Sequence, residues 1–154
     1  MSKKAPGILG RLALALAPAR STAEAVTWQP AGGSYPRLLA LEPRALTGRA
    51  GLYLLWHLGV RPQWIRAGAS SDLAATVLQL ARAPEVADFS RHDGPFLSWS
   101  FCGTEKASGY VRFLARRLRP ALQNQVYSCD HAVDPSAPEI FCALPPGAID
   151  IAEH

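Results

Sequence analysis

Short apolar runs in the middle of the chain predict three β-strands. Residues 51–56 form the first run, and its aromatic and large aliphatic residues are typical of a buried strand. A short turn separates this run from residues 63–68, so the second strand is predicted to lie antiparallel to the first. Residues 96–102 predict a third strand after the turn signal Asp93-Gly94, with alternate residues facing opposite sides of the sheet.

Two other segments repeat apolar residues at helical spacing. Ser70 or Ser71 is predicted to cap the first helix, with Asp72 in its first turn, and Pro84 limits that helix. Its apolar stripe comprises Leu73, Val77, Leu80 and Ala81. The second helix is predicted from 105 to 118, with an apolar stripe of Val111, Leu114, Ala115 and Leu118. Arginines off this stripe give the second helix a basic side.

Proline and glycine cluster toward both ends and divide the chain into three parts. Residues 1–47 are predicted to be a leader and irregular segment, in which 36–46 forms a short extended stretch packed on the core. Residues 48–122 are predicted to be the folded domain, and 123–154 a proline-rich tail that docks on it. For 1–25 three alternatives stay open: a surface helix, a floppy leader, or a cleaved secretory signal, which is the least favoured.

Composition indicates a globular protein, since 49% of the 154 residues are apolar and 18% are charged. The net charge of +4 is compatible with a phosphate-bearing partner, although many soluble proteins carry such an excess. Three cysteines give no disulfide framework, which favours a reducing, cytoplasmic compartment. No apolar run is long enough to predict a membrane span. Cys129 and His131 lack the further paired ligands of a zinc site, so none is predicted.

Several short motifs occur in an order that resembles the GIY-YIG nuclease family. Residues 51–53, Gly-Leu-Tyr, match the first signature tripeptide with Leu for Ile, and 66–68, Arg-Ala-Gly, retain only the glycine of the second. Asp72-Leu73 follows that glycine at the family's common spacing, and Arg119-Pro120 resembles the Lys-Pro that often closes the family domain. The resemblance implies an α+β fold: a small three-stranded antiparallel-type sheet flanked by helices.

The resemblance also implies the chemistry of phosphodiester hydrolysis, in which a Tyr, an Arg and a metal-binding Glu cooperate. Tyr53 matches the first tyrosine, whereas Arg66 replaces the second. The family's arginine falls at Thr76 and its glutamate at Val111, and valine cannot hold Mg²⁺. We therefore expect no metal or other cofactor, with Mg²⁺ required only if catalysis survives.

The prediction for function is a degenerate, non-catalytic domain of this type that binds DNA or another nucleic acid. Two alternatives stay open: an active metal-dependent DNA endonuclease with displaced residues, and a protein-interaction domain with a protein partner. Among displaced residues, Arg66 could bind phosphate from its strand, Arg82 lies one or two turns late on the first helix, and Glu105 is nearly two turns before Val111 and would need a register shift. The candidate residues are Tyr53 for catalysis, Arg66, Arg112, Arg116 and Arg119 for nucleic-acid binding, and Gly51 and Gly68 as motif glycines, with no metal ligand. Each also has a structural interpretation, as core aromatic, solvated surface or packing glycine.

Overall fold

The computed structural model describes residues 26–30, 34–59, 61–91 and 93–147, so the predictions for 1–25 lie outside the described residues. The strands are β1 (Gly51–His57), β2 (Gln63–Ser70) and β3 (Phe96–Phe101). The helices are α1 (Leu73–Arg82), the short α2 (Pro84–Ala87) and α3 (Ala107–Leu118). Within the described residues, no helix is both long and apolar enough to cross a membrane.

The three strands form one antiparallel sheet in the order β2-β1-β3. In the central strand, Tyr53 lies opposite Gly68 on one side and Trp99 on the other. This sheet, with helices packed on it, confirms the predicted α+β fold and all three predicted strands. β3 ends one residue earlier than predicted, at Phe101, and the next backbone N–H, that of Cys102, donates to Ala50 outside the strand ladder.

A bulge in β2 changes the faces of the two residues that precede Arg66. Tyr53 pairs with Gly68 and Leu55 with Arg66 in regular register, so Arg66 and Gly68 lie on the Tyr53 side of the sheet by simple alternation. Trp56 then pairs with Trp64, so Ile65 is an extra residue. Ile65 therefore packs in the same core as Tyr53, whereas Trp64 packs on the opposite side with Trp56.

Each face of the sheet carries its own hydrophobic core. On the α3 side, Leu52, Leu54 and Trp56 of β1 pack against the helix through Val111, Leu114 and Leu118. On the α1 side, the core contains Tyr53, Leu55, Leu73, Val77, Leu80 and Leu97. The buried positions of both helices recur every three or four residues, as the apolar stripes predict. Burying both faces explains why β1 is an uninterrupted buried run rather than an alternating one.

Two local predictions were wrong. The first helix is capped by Asp72 itself, whose Oδ1 accepts from the Ala74 N–H at 3.1 Å, because β2 continues through Ser70 and uses that residue. Residues 36–46 are not extended: they form two 3₁₀ turns, Leu38–Ala40 and Pro43–Leu46. These turns bury Leu38 and Leu46 against the α1-side core, which an extended strand of this length would not do.

Both edges of the sheet are covered by residues outside the strands. Gln29 and Arg37 form isolated bridges to β3. On the β2 edge, the Gln123 side chain accepts from the Ala67 N–H at 2.9 Å and donates to the Ala67 carbonyl at 2.7 Å. The His131 N–H donates to Ala69 farther along. An open edge strand would invite pairing with other chains, so this cover protects the sheet.

Candidate functional site

Three polar side chains meet beneath the surface on the α1 face of the sheet. Arg66 Nε donates to the Tyr53 hydroxyl at 2.9 Å, and that hydroxyl donates to Asp130 Oδ2 at 2.7 Å. Arg66 Nη2 closes the triangle with a 2.7 Å ion pair to the same carboxylate oxygen. Tyr53, Arg66 and Gly68 thus lie side by side as the motif positions predict, but Asp130 arrives from the C-terminal segment.

The guanidinium group of Arg66 donates its hydrogen bonds to partners inside the protein. Its Nη1 donates to the carbonyls of Leu122 and Gln125 at 2.9 and 2.8 Å, and its guanidinium lies 4.6 Å from the centre of the Tyr127 ring. Only 7% of the side chain is exposed. The residue predicted to bind nucleic acid from β2 therefore fastens the segment after α3 to the sheet.

Tyr127 connects this network to the short helix α2, which follows α1. Its hydroxyl donates to Glu85 Oε2 at 2.5 Å, and Glu85 belongs to the short helix α2. The C-terminal segment is consequently held at two points: Tyr53 and Arg66 of the sheet hold Asp130, and Glu85 of α2 holds Tyr127. Sequence analysis missed Asp130, Tyr127 and Glu85; Asp130 stands inside the Cys129–His131 pair, which was considered only as a zinc candidate.

The two motif glycines have packing reasons for their identity. A Cβ on Gly68 would lie 2.6 Å from the Tyr53 hydroxyl oxygen and equally close to its ring. A Cβ on Gly51 would lie 2.2 Å from the Ser100 carbonyl oxygen in β3. Gly68 lets the Tyr53 ring cross β2, and Gly51 lets β1 approach β3.

The environment of Tyr53 holds its hydroxyl in the protonated form. Burial raises the pKa of this phenol well above its ordinary value, and Asp130 raises it further, while Arg66 lowers it. The side chain is 0% exposed, and its hydroxyl already donates one hydrogen bond and accepts another. A general base must be deprotonated and within reach of the proton that it abstracts. Tyr53 meets neither condition here.

We expect alkaline titration to reveal this protection. Burial raises the pKa of all four tyrosines, so phenolate absorbance should appear at higher pH than it does for free tyrosine. Because the folded-state pKa of Tyr53 exceeds the unfolded value of about 10, its contribution to stability is complete below that pH and is lost as pH rises. Tyr53 should therefore ionise together with unfolding, monitored by circular dichroism.

Two variants separate Tyr53 from the other phenols in this titration. Tyr53→Phe should remove part of the phenolate signal that coincides with unfolding. Tyr35→Phe, whose hydroxyl lies at the surface and donates to the Pro146 carbonyl, should remove signal from the folded baseline instead. A Tyr53-dependent signal near pH 10 in the still-folded protein would contradict the protection of this hydroxyl.

The remaining positions of the implied nuclease site are apolar or occupied. Val111 is buried in the core on the α3 side, whereas Tyr53 packs on the α1 side. Thr76 is buried in α1, and Arg82 lies exposed at its C-terminal end. Asp130 is a carboxylate within reach of Tyr53, the feature that would favour an active nuclease, but its Oδ2 is shared by Arg66 and the phenol.

The divalent metal implied by the resemblance does not fit these residues. A magnesium site requires several hard oxygen ligands, commonly with a carboxylate free to bind. Among the described residues, no group of three or more His, Cys, Asp or Glu could hold a metal ion. The buried carboxylate nearest to Tyr53 is neutralised by Arg66, so we derive no metal-dependent step.

An open groove of about 660 Å³ runs beside the network along the outer edge of β2. One wall is α3, through Val111, Arg112 and Ala115, and the opposite wall is the segment 123–133. Ala67, Gly68 and Ala69 of β2 line it between these walls. The groove therefore lies next to the predicted site residues Arg66, Gly68 and Arg112, which line it.

The predicted arginines of α3 differ in their availability. Arg112 lines the groove and donates to the Ala137 carbonyl. Arg116 makes two 2.9 Å hydrogen bonds to the Glu139 carboxylate at the surface. Arg119, the left-handed residue that ends α3, is exposed, as is Arg117. Within the described part of the chain, the guanidinium groups of Arg117 and Arg119 have no ion-pair partner.

Comparisons with known proteins add no assignment to this geometry. Neither protein-family models, nor curated proteins, nor solved structures gave a significant match to the chain. The resemblance to the GIY-YIG family therefore rests on the motif residues and their order alone. Any function must be argued from the buried network, the groove and the basic helix.

Proposed function

We propose that this domain is a non-catalytic nucleic-acid-binding module that uses the basic side of α3. The observation that carries the proposal is that Arg112 and Arg116 share one side of α3 beside the open groove and that the exposed Arg119 follows directly after the helix. Residues four positions apart share one side of a helix, and seven residues of helix span roughly 10 Å. Such a row matches a phosphate backbone, which arginine recognises by charge and paired N–H groups.

The electrostatic balance supports this surface. The chain carries a net charge of +4, and Asp130 already compensates Arg66 in the interior. On the surface, Glu139 compensates Arg116, and Arg112 lies close enough to Asp134 to interact electrostatically with that carboxylate. Arg117 and Arg119 have no ion-pair partner among the described residues. A phosphate could displace the Glu139 contact at little cost, because exposed ion pairs contribute only about 0–1 kcal/mol.

The absence of catalysis in this proposal follows from the state of Tyr53. Its hydroxyl is buried, protonated and hydrogen-bonded at both its donor and acceptor positions. The segment containing Tyr127 and Asp130 covers the position where a scissile phosphate would need to approach. What remains of the nuclease-like arrangement supports the fold of the binding surface.

Removing the two exposed arginines of this row should weaken nucleic-acid binding. The variant Arg116→Gln/Arg119→Gln is expected to reduce the steepness of the log affinity against log salt plot by about 1 to 2, since each lost phosphate contact removes about one released counterion. Binding of a fluorescent oligonucleotide, measured by anisotropy in EDTA across a salt series, gives this slope.

The matched control removes the same charge from the opposite side of the sheet. Arg82→Gln/Arg91→Gln lies on the α1 side, where both side chains are exposed, and should leave the salt slope unchanged. Equal effects of the two double variants would indicate that only net charge matters and would remove α3 as the binding surface. Failure of the wild-type protein to bind any nucleic acid at low salt would refute the proposal.

A nicking assay tests the catalytic alternative directly. Supercoiled DNA incubated with the protein and Mg²⁺ should remain intact, and Tyr53→Phe should behave as the wild type does. Metal-dependent nicking that Tyr53→Phe abolishes would show that the buried hydroxyl becomes accessible and that the domain is an enzyme.

A protein partner is the second candidate, and exposed apolar residues of the C-terminal segment favour it. Val126 is 91% exposed and Phe141 is 55% exposed, with Val133 also at the surface. Apolar side chains on a segment that is otherwise tied to the sheet can mark a contact surface. A domain that binds no nucleic acid at low salt, yet loses self-association or partner binding on Val126→Ser, would fit this candidate instead.

A further inference from the structure

We infer that the groove between β2, α3 and the segment 123–133 accommodates an unpaired nucleotide, so that the domain prefers single-stranded over double-stranded nucleic acid. This inference rests on the proposed function and specifies its substrate class. Its premise is that the phosphate-binding arginines and the groove share one wall: Arg112 belongs to both. A strand that follows the basic side of α3 would therefore pass along the groove mouth.

The size of the groove suits one nucleotide unit. Its volume of about 660 Å³ lies within the range of clefts that enclose small organic ligands. A base held within a duplex is stacked and paired and cannot enter such a cleft, whereas an unpaired base can be splayed into it. The groove therefore discriminates by shape before any hydrogen bond is considered.

The residues that line the groove also suit a nucleic-acid base chemically. Ala115 of α3 and Val133 of the opposite wall bring apolar side chains to the groove. Asn124 and Gln125 bring side-chain amides with both donors and acceptors, which can bond to base edges. In the part of the chain that the structure describes, neither amide has a hydrogen-bond partner of its own, so both are available.

Small residues form most of the floor of the groove. Four residues of β2 line it, and three of them, Ala67, Gly68 and Ala69, carry no side chain larger than a methyl group. The fourth, Arg66, has its side chain engaged with Tyr53 and Asp130 and only 7% exposed. The Gln123 amide, by contrast, is fully engaged with the Ala67 backbone and closes one end of the β2 edge. A planar ring can thus approach the strand without displacing a side chain.

The balance of charge in the groove favours an anionic strand rather than a cationic ligand. Arg66 and Asp130 neutralise each other by their 2.7 Å ion pair. Arg112 forms no ion pair within 4 Å among the described residues and leaves the lining with a positive excess. The phosphate that joins the inserted nucleotide to its neighbour would lie nearest to this guanidinium.

The experiment compares one short labelled DNA strand with the duplex formed from it, by anisotropy in EDTA. The wild-type protein is expected to bind the single strand at least about tenfold more tightly than the duplex. Asn124→Ala/Gln125→Ala should weaken binding of the single strand about tenfold, the loss expected for two hydrogen bonds, while the salt slope stays unchanged. Duplex binding should change less than about twofold in the same variant.

Ala115→Leu provides a second, independent variant. Leucine is a good helix former and would narrow the groove from the α3 wall without altering charge. It too should weaken single-strand binding selectively.

Thr47→Ala/Ser90→Ala truncates two exposed polar side chains on the α1 side and serves as the matched control, which should bind as the wild type does.

The outcomes separate this inference from the proposed function. If the protein bound the single strand and the duplex with equal affinity, and neither groove variant changed either affinity, the inference would be overturned. Binding through α3 would remain intact. Loss of duplex and single-strand binding together in the groove variants, with folding preserved, would also overturn it, since the groove would then not discriminate. A wild-type protein that binds neither probe would overturn the proposed function and, with it, this inference.

Discussion

Asp130→Ala is expected to lower the free energy of unfolding by about 3–5 kcal/mol, because it leaves a guanidinium buried without its counter-ion. The Asp130 carboxylate is the only acidic partner of Arg66 in the described residues, and it also accepts from the Tyr53 hydroxyl. Alanine would remove both contacts, while the segment would keep its bonds from Arg66 to the Leu122 and Gln125 carbonyls and from Tyr127 to Glu85. Urea unfolding followed by circular dichroism measures the loss.

The control for this prediction is an ion pair of the same length at the surface. Arg37 and Asp93 are also 2.7 Å apart, but about half of each side chain is exposed. Asp93→Ala should therefore cost no more than about 1 kcal/mol. Similar losses of unfolding free energy in the two variants would mean that burial does not increase the contribution of the Arg66–Asp130 pair to stability.

A double-mutant cycle distinguishes pairing from simple truncation. The cycle comprises Arg66→Met, Asp130→Leu and the double variant Arg66→Met/Asp130→Leu, which replaces both charges with apolar groups and should recover much of the stability lost in Asp130→Leu alone. Recovery would show that the unpaired charge, rather than loss of contact with the C-terminal segment, dominates the penalty. Additive losses would contradict that interpretation.

Gly51→Ala is expected to destabilise the protein by about 3 kcal/mol or more, since its Cβ has no space. The added carbon would lie 2.2 Å from the Ser100 carbonyl oxygen and 3.0 Å from the Ser100 carbonyl carbon, both in the backbone of β3. Relief of the clash requires β1 and β3 to separate. Thermal unfolding gives the loss, and faster hydrogen exchange of β3 amides should accompany it.

Gly103→Ala is the matched control for this substitution. The nearest atom to its Cβ is Glu105 Oε1 at 2.3 Å, the end of an exposed side chain that can rotate away. The cost should stay within about 0.5 kcal/mol, as for most surface substitutions. Gly51→Ala with the stability of Gly103→Ala would show that β1 and β3 tolerate a wider spacing.

The strands and helices were predictable because their signals are local. The apolar run that contains Tyr53 and the three-to-four residue spacing of Val111, Leu114 and Leu118 depend on neighbouring positions alone. The errors were also local in origin. Ser70 and Asp72 both suit a helix cap, and the choice depended on how far β2 continues, which is set by its pairing with Gly51.

The candidate site was predictable only in part. The motif residues placed Tyr53, Arg66 and Gly68 together, because paired strands fix which residues are neighbours. Asp130 was missed, since it is 77 residues from Tyr53 and no periodic pattern connects a loop residue to a strand. The bulge at Ile65, which places Ile65 in the core with Tyr53 and Trp64 on the opposite side, likewise has no signature in the apolar pattern.

The sequence by itself determined the type and order of the elements, the basic side of the last helix and the close approaches that require glycine. The tertiary structure alone decided that Arg66 is buried and binds the C-terminal segment, rather than being a cation at the surface. It also decided that the Tyr53 hydroxyl is covered and that a groove opens beside α3. The physical reason is that hydrophobic periodicity acts over a few residues, whereas burial, ion pairing and cavity shape depend on segments that meet only after folding.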